Sequence, residues 1–537
     1  MQSPLLDRIS SLKQLVEAPT YDIVVVGGGA TGLGVAVDAA TRGLRVALLE
    51  QHDFAKGTSS RSTKLVHGGV RYLAMGDIKL VHDALRERGI TFANAPHITR
   101  TQSFIIPCYS FFAKLKYLVG LKFYDWLAGR RSIGKSTAVT KAEIQRHFPN
   151  LKSDKLKGGV RYFDGQFDDA RLAINLAQTA TMHGATVINY CRVTGLGKSE
   201  KGKVNGVRFT DLETGITYSL RAKAIINATG VFVDDLLLMD TGTHKPIVKP
   251  SQGTHIVLDH TFLGGDEALM IPKTSDGRVL FGLPWHGHLL IGTTDVPVDH
   301  PSLEPNPTTS EVDFILETAS NYLVKAPKKE DIRTIFAGLR PLAAPADDHG
   351  TTKEISRDHK LMVAPSGLIT ITGGKWTTYR KMAEETVDKA LDVAGLPHVS
   401  CQTRTTKIHG YTEHPETGHW ASYGSDAPQL KALAKSHPAW QEKLHSDFDH
   451  LVVEVVWATR HEMAMTVEDV LARRLRILFL HAQASIEMAP KVAKTMAAEL
   501  GKDANWIAEQ LAAFNNVAKT YLATTTMRHQ MKENDID

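Results

Sequence analysis

The chain has 537 residues, 42% of them hydrophobic and 23% charged, enough for two or three globular domains and unlike a disordered or fibrous composition. Its 63 basic and 58 acidic side chains leave a net charge of +5, which selects no class of partner. Three distant cysteines, Cys108, Cys191 and Cys401, argue against a disulfide scaffold or a zinc module and for a reducing compartment. No transmembrane helix is expected, because no run approaches about 18 consecutive apolar residues. Asp7, Arg8 and Lys13 interrupt the first apolar residues, so no signal peptide is expected either.

The most informative stretch comes early. An apolar, β-branched run, Ile23 to Val26, predicts a strand; it ends on Gly27, Gly28 and Gly29, and Gly32 completes G-x-G-x-x-G. A helical segment follows, then a second strand, Val46 to Leu49, that ends on Glu50. Glycines let the backbone turn tightly and approach a pyrophosphate, whose charge sits over the helix N-terminus. Glu50 lies 23 residues after Gly27, close to the roughly 20-residue offset at which an acid takes a ribose hydroxyl. Strand, helix, strand and acid together predict a dinucleotide site.

Residues 57–73, GTSSRSTKLVHGGVRYL, follow where such a fold passes back along its cofactor. Thr58, Ser59 and Ser60 can donate to phosphate without bulk, and His67 with Gly68 and Gly69 sets an ionisable ring beside closely approaching backbone. A polar loop with a satisfied histidine explains the same residues equally well.

Residues 110–135 are basic and aromatic. Leu115, Val119, Phe123, Trp126 and Leu127 fall at helical spacing among Lys114, Lys116, Lys122, Arg130, Arg131 and Lys135, against one acid, Asp125. A core-facing helix with a solvated basic face is the ordinary explanation. Lys122 on the apolar stripe favours a membrane interface, where it can snorkel, and Gly120 is expected to interrupt the helix.

The run Ala224 to Asn227 predicts a strand closing on Ala228-Thr229-Gly230. From about 245 to 345, short β-type runs such as Val279-Leu280-Phe281 and Leu289-Leu290-Ile291 predict an antiparallel sheet facing substrate. Arg340, in AGLRPL, and Arg357, in SRD, stand at loop-like positions where guanidinium forks can hold a phosphate or carboxylate, although for each read alone a surface or salt-bridged arginine is the favoured explanation. The nucleotide domain resumes at 367–374, where Gly373, Gly374 and Lys375 join a strand to a helix and suit an anion or a reduced flavin. That helix, from about Thr378, is expected to stop at Gly395 and Pro397. Beyond residue 400 the pattern is helical, with Thr466 and Asp469 spaced as a capping box. GGVRY occurs twice, at 68–72 and 158–162, too short for a repeat architecture.

The ordered set GGGATG, TSSRSTKLVHGGVRYL, INATG, IGTTD, AGLRPL, ISRDH and GGKWTTYRKMAE resembles the respiratory FAD-dependent glycerol-3-phosphate dehydrogenases over about residues 20 to 390, and RHEMAMTVEDVLARR resembles that family's C-terminal domain. The resemblance implies an α/β fold. It consists of a discontinuous FAD-binding Rossmann-like domain (20–95, 155–235 and 356–396), an antiparallel-sheet substrate or cap domain (96–154 and 236–355) and an all-helical C-terminal domain (400–537). It implies a noncovalent FAD that takes a hydride at N5 from C2 of sn-glycerol 3-phosphate, giving dihydroxyacetone phosphate, with electrons passing to ubiquinone or menaquinone.

Carried over by motif, His67, His255 and Lys375 are the expected catalytic residues, with His67 first choice as base and His255 second. Arg71, Tyr72, Arg340 and Arg357 are the expected substrate contacts. The expected cofactor contacts are Gly27, Gly28, Gly29, Gly32, Glu50, Thr58, Ser59, Ser60, Lys64, His67, Gly68, Val193, Ala228, Gly230, Gly373, Gly374 and Lys375. No metal site is expected. The implied location is peripheral, on an anionic membrane surface at the cytoplasmic face of the inner or plasma membrane, and a homodimer stays open as the assembly.

The chain departs from the pattern at Val231, where many members have proline, which should alter only the turn. It lacks the long insertion of the larger oxygen-using oxidases, which points to quinone. The competing reading is a glycerol-3-phosphate oxidase, or an amino- or hydroxy-acid oxidase of the same fold using oxygen. Arg71, Arg340 and Arg357 beside Lys375 argue against a carboxylate substrate, which needs only one or two cations. Nucleic acid is not an expected partner, because the excess of basic charge is confined to one short segment and the whole chain is near neutral.

Overall fold

The computed structural model describes residues 5–18, 20–74, 76–275, 277–343 and 359–523. Two sheets dominate. In the first, the main run of strands is 359–363, 369–373, 217–227, 21–26, 46–49 and 186–188, parallel except for the edge strand His359–Val363, and Val204–Asp211 with Cys191–Lys198 adds an antiparallel extension beside 217–227. Ile23–Val26 and Val46–Leu49 are wholly buried, as β-branched runs in a covered parallel sheet must be. Helices Ala30–Thr41, Asp169–Met182 and Tyr379–Ala394 cover this sheet and pack on one another. The last ends on Gly395, at φ +62°, as expected.

Among the described residues the second sheet has ten strands. Its long members are Val248–Asp259, Thr334–Ala343, Thr99–Pro107 and Gly159–Phe167. Gly159–Phe167 pairs antiparallel with Thr99–Pro107, and Phe104 stacks on Tyr162 at 5.0 Å between centroids. The expectation that all of 155–235 belongs to the nucleotide domain is therefore corrected at its start. Leu65–Val66 joins the same second sheet by pairing with 165–166, so the hydroxyl-rich loop bridges the two sheets.

Phe111–Ala128 is one unbroken helix, so Gly120 does not interrupt it; a Cβ there would touch nothing within 4 Å. It rests on the second sheet through Leu121 and Tyr124, while Phe111, Phe112, Leu115, Val119 and Trp126 face solvent. None of the helices among the described residues is long and apolar enough to cross a membrane. After residue 400 the helices Val452–His461, Ala482–Leu500 and Ala504–Thr520 form a layer whose core merges with that of the second sheet, and Ala427–Ser436 packs on Val452–His461 in a smaller core of its own. Thr466 and Asp469 form the reciprocal bonds expected of a capping box: Asp469 N donates to Thr466 Oγ1 at 3.2 Å and Thr466 N to the Asp469 carboxylate at 3.0 Å.

Candidate active site

A cavity of about 530 Å³ runs from the glycine-rich turn to the second sheet. At the first end the chain turns at Gly27, with φ +110°, where a Cβ would stand 2.7 Å from Ala228 O. Gly32 lets the helix press on this turn, since its Cβ would lie 1.9 Å from Gly27 O. The Glu50 carboxylate accepts from Gly28 N at 2.6 Å and from His52 N at 2.8 Å. Burial raises its pKa, and these two amide bonds work against the rise. Gly27, Gly29, Glu50, Val193, Ala228 and Gly230 all line this end.

The hydroxyl-rich loop forms one wall. Ser59 Oγ accepts from Ala30 N at 2.9 Å, tying the loop to the helix start, and Ser59 O accepts from Trp376 Nε1 at 2.9 Å. Thr58 donates to Leu339 O at 2.7 Å, which joins the loop to the strand carrying Arg340. Three expected cofactor contacts in this region lie behind the wall instead. Lys64 is buried and donates to Ser60 O and to the Asp169 carboxylate, both at 2.7 Å. Burial pushes its ammonium down to about 7 against the pull of Asp169. The Ser60 side chain is fully buried, and Gly68 lies against Tyr124, whose hydroxyl would stand 2.3 Å from a Cβ there. Gly28 and Gly32 also shape the turn without lining the cavity. Local sequence does not reveal which way a loop residue points; the partner that turns Lys64 inward, Asp169, is 105 residues away.

At the far end the structure gathers His67, Tyr72, His255, Arg340, Gly373, Gly374 and Lys375. The His67 backbone is pinned on Thr377, whose hydroxyl accepts from His67 N at 3.2 Å and lies 3.3 Å from His67 O. Lys375 Nζ sits 3.7 Å over the Tyr72 ring. His255 stacks on Phe336 at 4.9 Å and places Nε2 3.0 Å from Thr63 Oγ1. Burial, then the cations Lys64 and Arg340, hold its pKa well below 6.5, so the ring stays neutral at pH 7. Arg340 donates to Thr293 Oγ1 at 3.1 Å, Thr294 O at 3.0 Å and Asp295 at 3.3 Å, which fixes its fork at the cavity wall. Arg357 and the side chain of Arg71 lie outside the described residues.

Sequence reasoning missed several lining residues. Thr63 and Thr293 lay inside quoted motifs and could have been found there. The apolar wall of Leu65, Val70, Phe104, Tyr162, Met270 and Phe281 carried no local signal, because it assembles from strands of the second sheet and the short helix Val70–Ala74. The site suits FAD on its own geometry: a Cβ-free turn for a pyrophosphate, an acid at the second strand end for a ribose, and a cationic, glycine-lined far end for an isoalloxazine.

Residues 22–380 match the family described as FAD dependent oxidoreductase, and residues 369–506 match the C-terminal domain of alpha-glycerophosphate oxidase. The chain is 40% identical over 552 residues to a probable mitochondrial glycerol-3-phosphate dehydrogenase of Caenorhabditis elegans, covering 97% of this chain and 76% of that one. The chain belongs to the FAD-dependent glycerol-3-phosphate dehydrogenase family. The mitochondrial enzyme of Rattus norvegicus is 39% identical over 535 residues, 93% of this chain and 72% of its own. The crystal structure of glycerol-3-phosphate dehydrogenase from Bacillus halodurans complexed with FAD superposes with a TM-score of 0.78 at 28% identity, over 97% of this chain and 98% of that one. The cofactor of this chain is FAD. Its α/β fold with a helical C-terminal domain is that of the family.

Proposed function

We propose that this FAD-dependent dehydrogenase oxidises sn-glycerol 3-phosphate to dihydroxyacetone phosphate and passes the electrons to a membrane quinone. The observation that carries the reading is the far end of the cavity, where a fixed arginine fork, a lysine and a neutral buried histidine converge. Arg340 matches a phosphate in two-point fashion, and Lys375 adds a second cation. His255 or His67 accepts the proton of the C2 hydroxyl as its C–O bond becomes C=O; His255 is the better placed to stay neutral. Bound FAD supplies the two-electron acceptor for the hydride that leaves C2.

The exposed apolar face of Phe111–Ala128, with Phe112 at 82% and Trp126 at 71% exposure beside exposed Lys116, Lys122 and Arg130, suits an anionic membrane surface. Such a surface would bring the enzyme to a lipid-soluble acceptor. The test is steady-state turnover of glycerol 3-phosphate with a short-chain quinone compared with oxygen. Quinone-dependent turnover well above hydrogen peroxide release is the expected result. Stoichiometric peroxide without quinone reduction would favour the oxidase reading.

A further inference from the structure

The helical C-terminal domain grips the back of the cofactor loop. In Arg473-Arg474-Leu475-Arg476, the three arginine side chains are at most 2% exposed, and each is bound to an acid of the nucleotide-binding part. Arg473 and Arg474 both reach Asp53, three residues beyond Glu50, at 2.5 Å. Burial would push the Asp53 carboxyl up, but Arg474 and Arg473 hold it low. Arg476 donates to Ser60 O at 3.0 Å and to Asp169 Oδ1 at 2.8 Å, while the other Asp169 oxygen accepts from Ser62 N at 3.1 Å and Ser62 Oγ at 2.7 Å. Ser59, Arg61 and Ser62, on either side of Ser60, line the cavity. The arginines thus hold residues 53–62 from behind, on the side away from the cavity.

We propose that Arg473, Arg474 and Arg476 are positioning residues for FAD, so that docking of the helical domain and retention of the flavin are coupled. The coupling follows from charge balance. An undocked domain leaves Asp53 buried without its two arginines and Asp169 with Lys64 alone, and the loop must then rearrange to solvate Asp53. Linkage requires the converse, that bound FAD strengthen docking of the helical domain by the same factor. The inference rests on FAD occupying the cavity, and wild-type flavin binding checks that point separately.

The test uses the full chain stripped of flavin and titrated with FAD, read by quenching of flavin fluorescence and by the visible flavin spectrum. Arg476→Gln and Asp53→Asn are expected to raise the FAD dissociation constant at least tenfold and to shift the visible bands, with Arg476→Lys restoring part of the affinity. The control is Thr334→Val, which removes a 2.8 Å bond to Leu478 O in the helical domain without touching the loop; it should lower the melting temperature and leave FAD affinity unchanged. Independently of any variant, FAD should slow hydrogen exchange in wild-type helices 452–461 and 482–500. If FAD leaves that exchange unchanged, or if folded Arg476→Gln binds FAD as tightly as wild type, the coupling does not exist.

Discussion

Replacing Arg340 tests the substrate end of the site most directly. Its fork is held in place before any ligand arrives. Thr293 Oγ1 and Thr294 O take Nη2, Asp295 and Gln252 O take Nη1, and the side chain is 25% exposed toward the cavity. Asp295 retains a bond from Ser251 when the arginine is removed, so Arg340→Ala should fold. A charge-assisted contact to a phosphate lost in this way costs about 1.5–3 kcal/mol, or roughly ten- to a hundredfold in kcat/KM. Arg340→Lys should recover little, because an ammonium cannot reproduce the fork. The structure offers a gentler variant as well. Gly253 packs under the guanidinium, and a Cβ there would stand 2.4 Å from Arg340 Nη2 and 2.5 Å from Thr293 Oγ1. Gly253→Ala should therefore displace the fork while keeping the charge. The assay compares kcat/KM for glycerol 3-phosphate with that for glycerol, with flavin content measured in parallel. Wild type should strongly prefer the phosphorylated substrate, and all three variants should narrow that gap. Arg340→Ala that keeps its FAD and the full preference would refute the assignment of the phosphate to this arginine.

Gly32→Ala should strip the flavin, because its Cβ would stand 1.9 Å from Gly27 O and push the helix off the turn; a normal ratio of flavin to protein absorbance would contradict this. His97 is buried, with Nε2 3.2 Å from Asn175 Oδ1, and burial lowers its pKa from 6.5 to about 4. Between those values the unfolded imidazole takes up a proton that the folded one refuses. Stability is therefore full above pH 6.5 and falls, by up to about 3 kcal/mol, as the pH drops toward 4. His97→Gln should flatten that slope in denaturant titrations, and an unchanged slope would place the acid sensitivity elsewhere. Neutralising Lys116, Lys122 and Arg130 together should release the protein from anionic vesicles, since each basic residue at such a surface contributes about 1 kcal/mol; unaltered co-sedimentation would remove this helix as the anchor.

The nucleotide half of the fold was legible because its signals are local. Ile23–Val26, the glycines and Glu50 sit within one strand–helix–strand unit, where backbone geometry follows from consecutive residues. The same holds for the stop at Gly395 and for the Thr466–Asp469 box. The domain boundaries were harder to read. Gly159–Phe167 reads as one more strand of an alternating α/β pattern, and only its pairing with Thr99–Pro107 assigns it to the second sheet. Pairing partners some 60 residues apart leave no trace in periodicity. Gly120 misled in the other direction. One glycine costs a helix only about 1 kcal/mol, and packing of Leu121 and Tyr124 on the face opposite the exposed stripe outweighs it.

For the site, motif membership located the residues but not their directions. His67, His255, Arg340 and Lys375 come from four separate segments and line one cavity. Lys64 belongs to the same TSSRSTKLVHGGVRYL run, yet it points the opposite way. Its φ of +64° turns the backbone, and Asp169 with the rings of Trp285, Phe336 and Phe479 surrounds the ammonium. A charge is tolerated there only because Asp169 compensates it, and Asp169 in turn needs Arg476 from the helical domain. Burial is the first cause that keeps His255 neutral, and the charges of Lys64 and Arg340 add to it. Arg476, Asp169 and Lys64 form a continuous run of hydrogen-bonded ion pairs from the helical domain to the back of the site. That is why no single motif could reveal it.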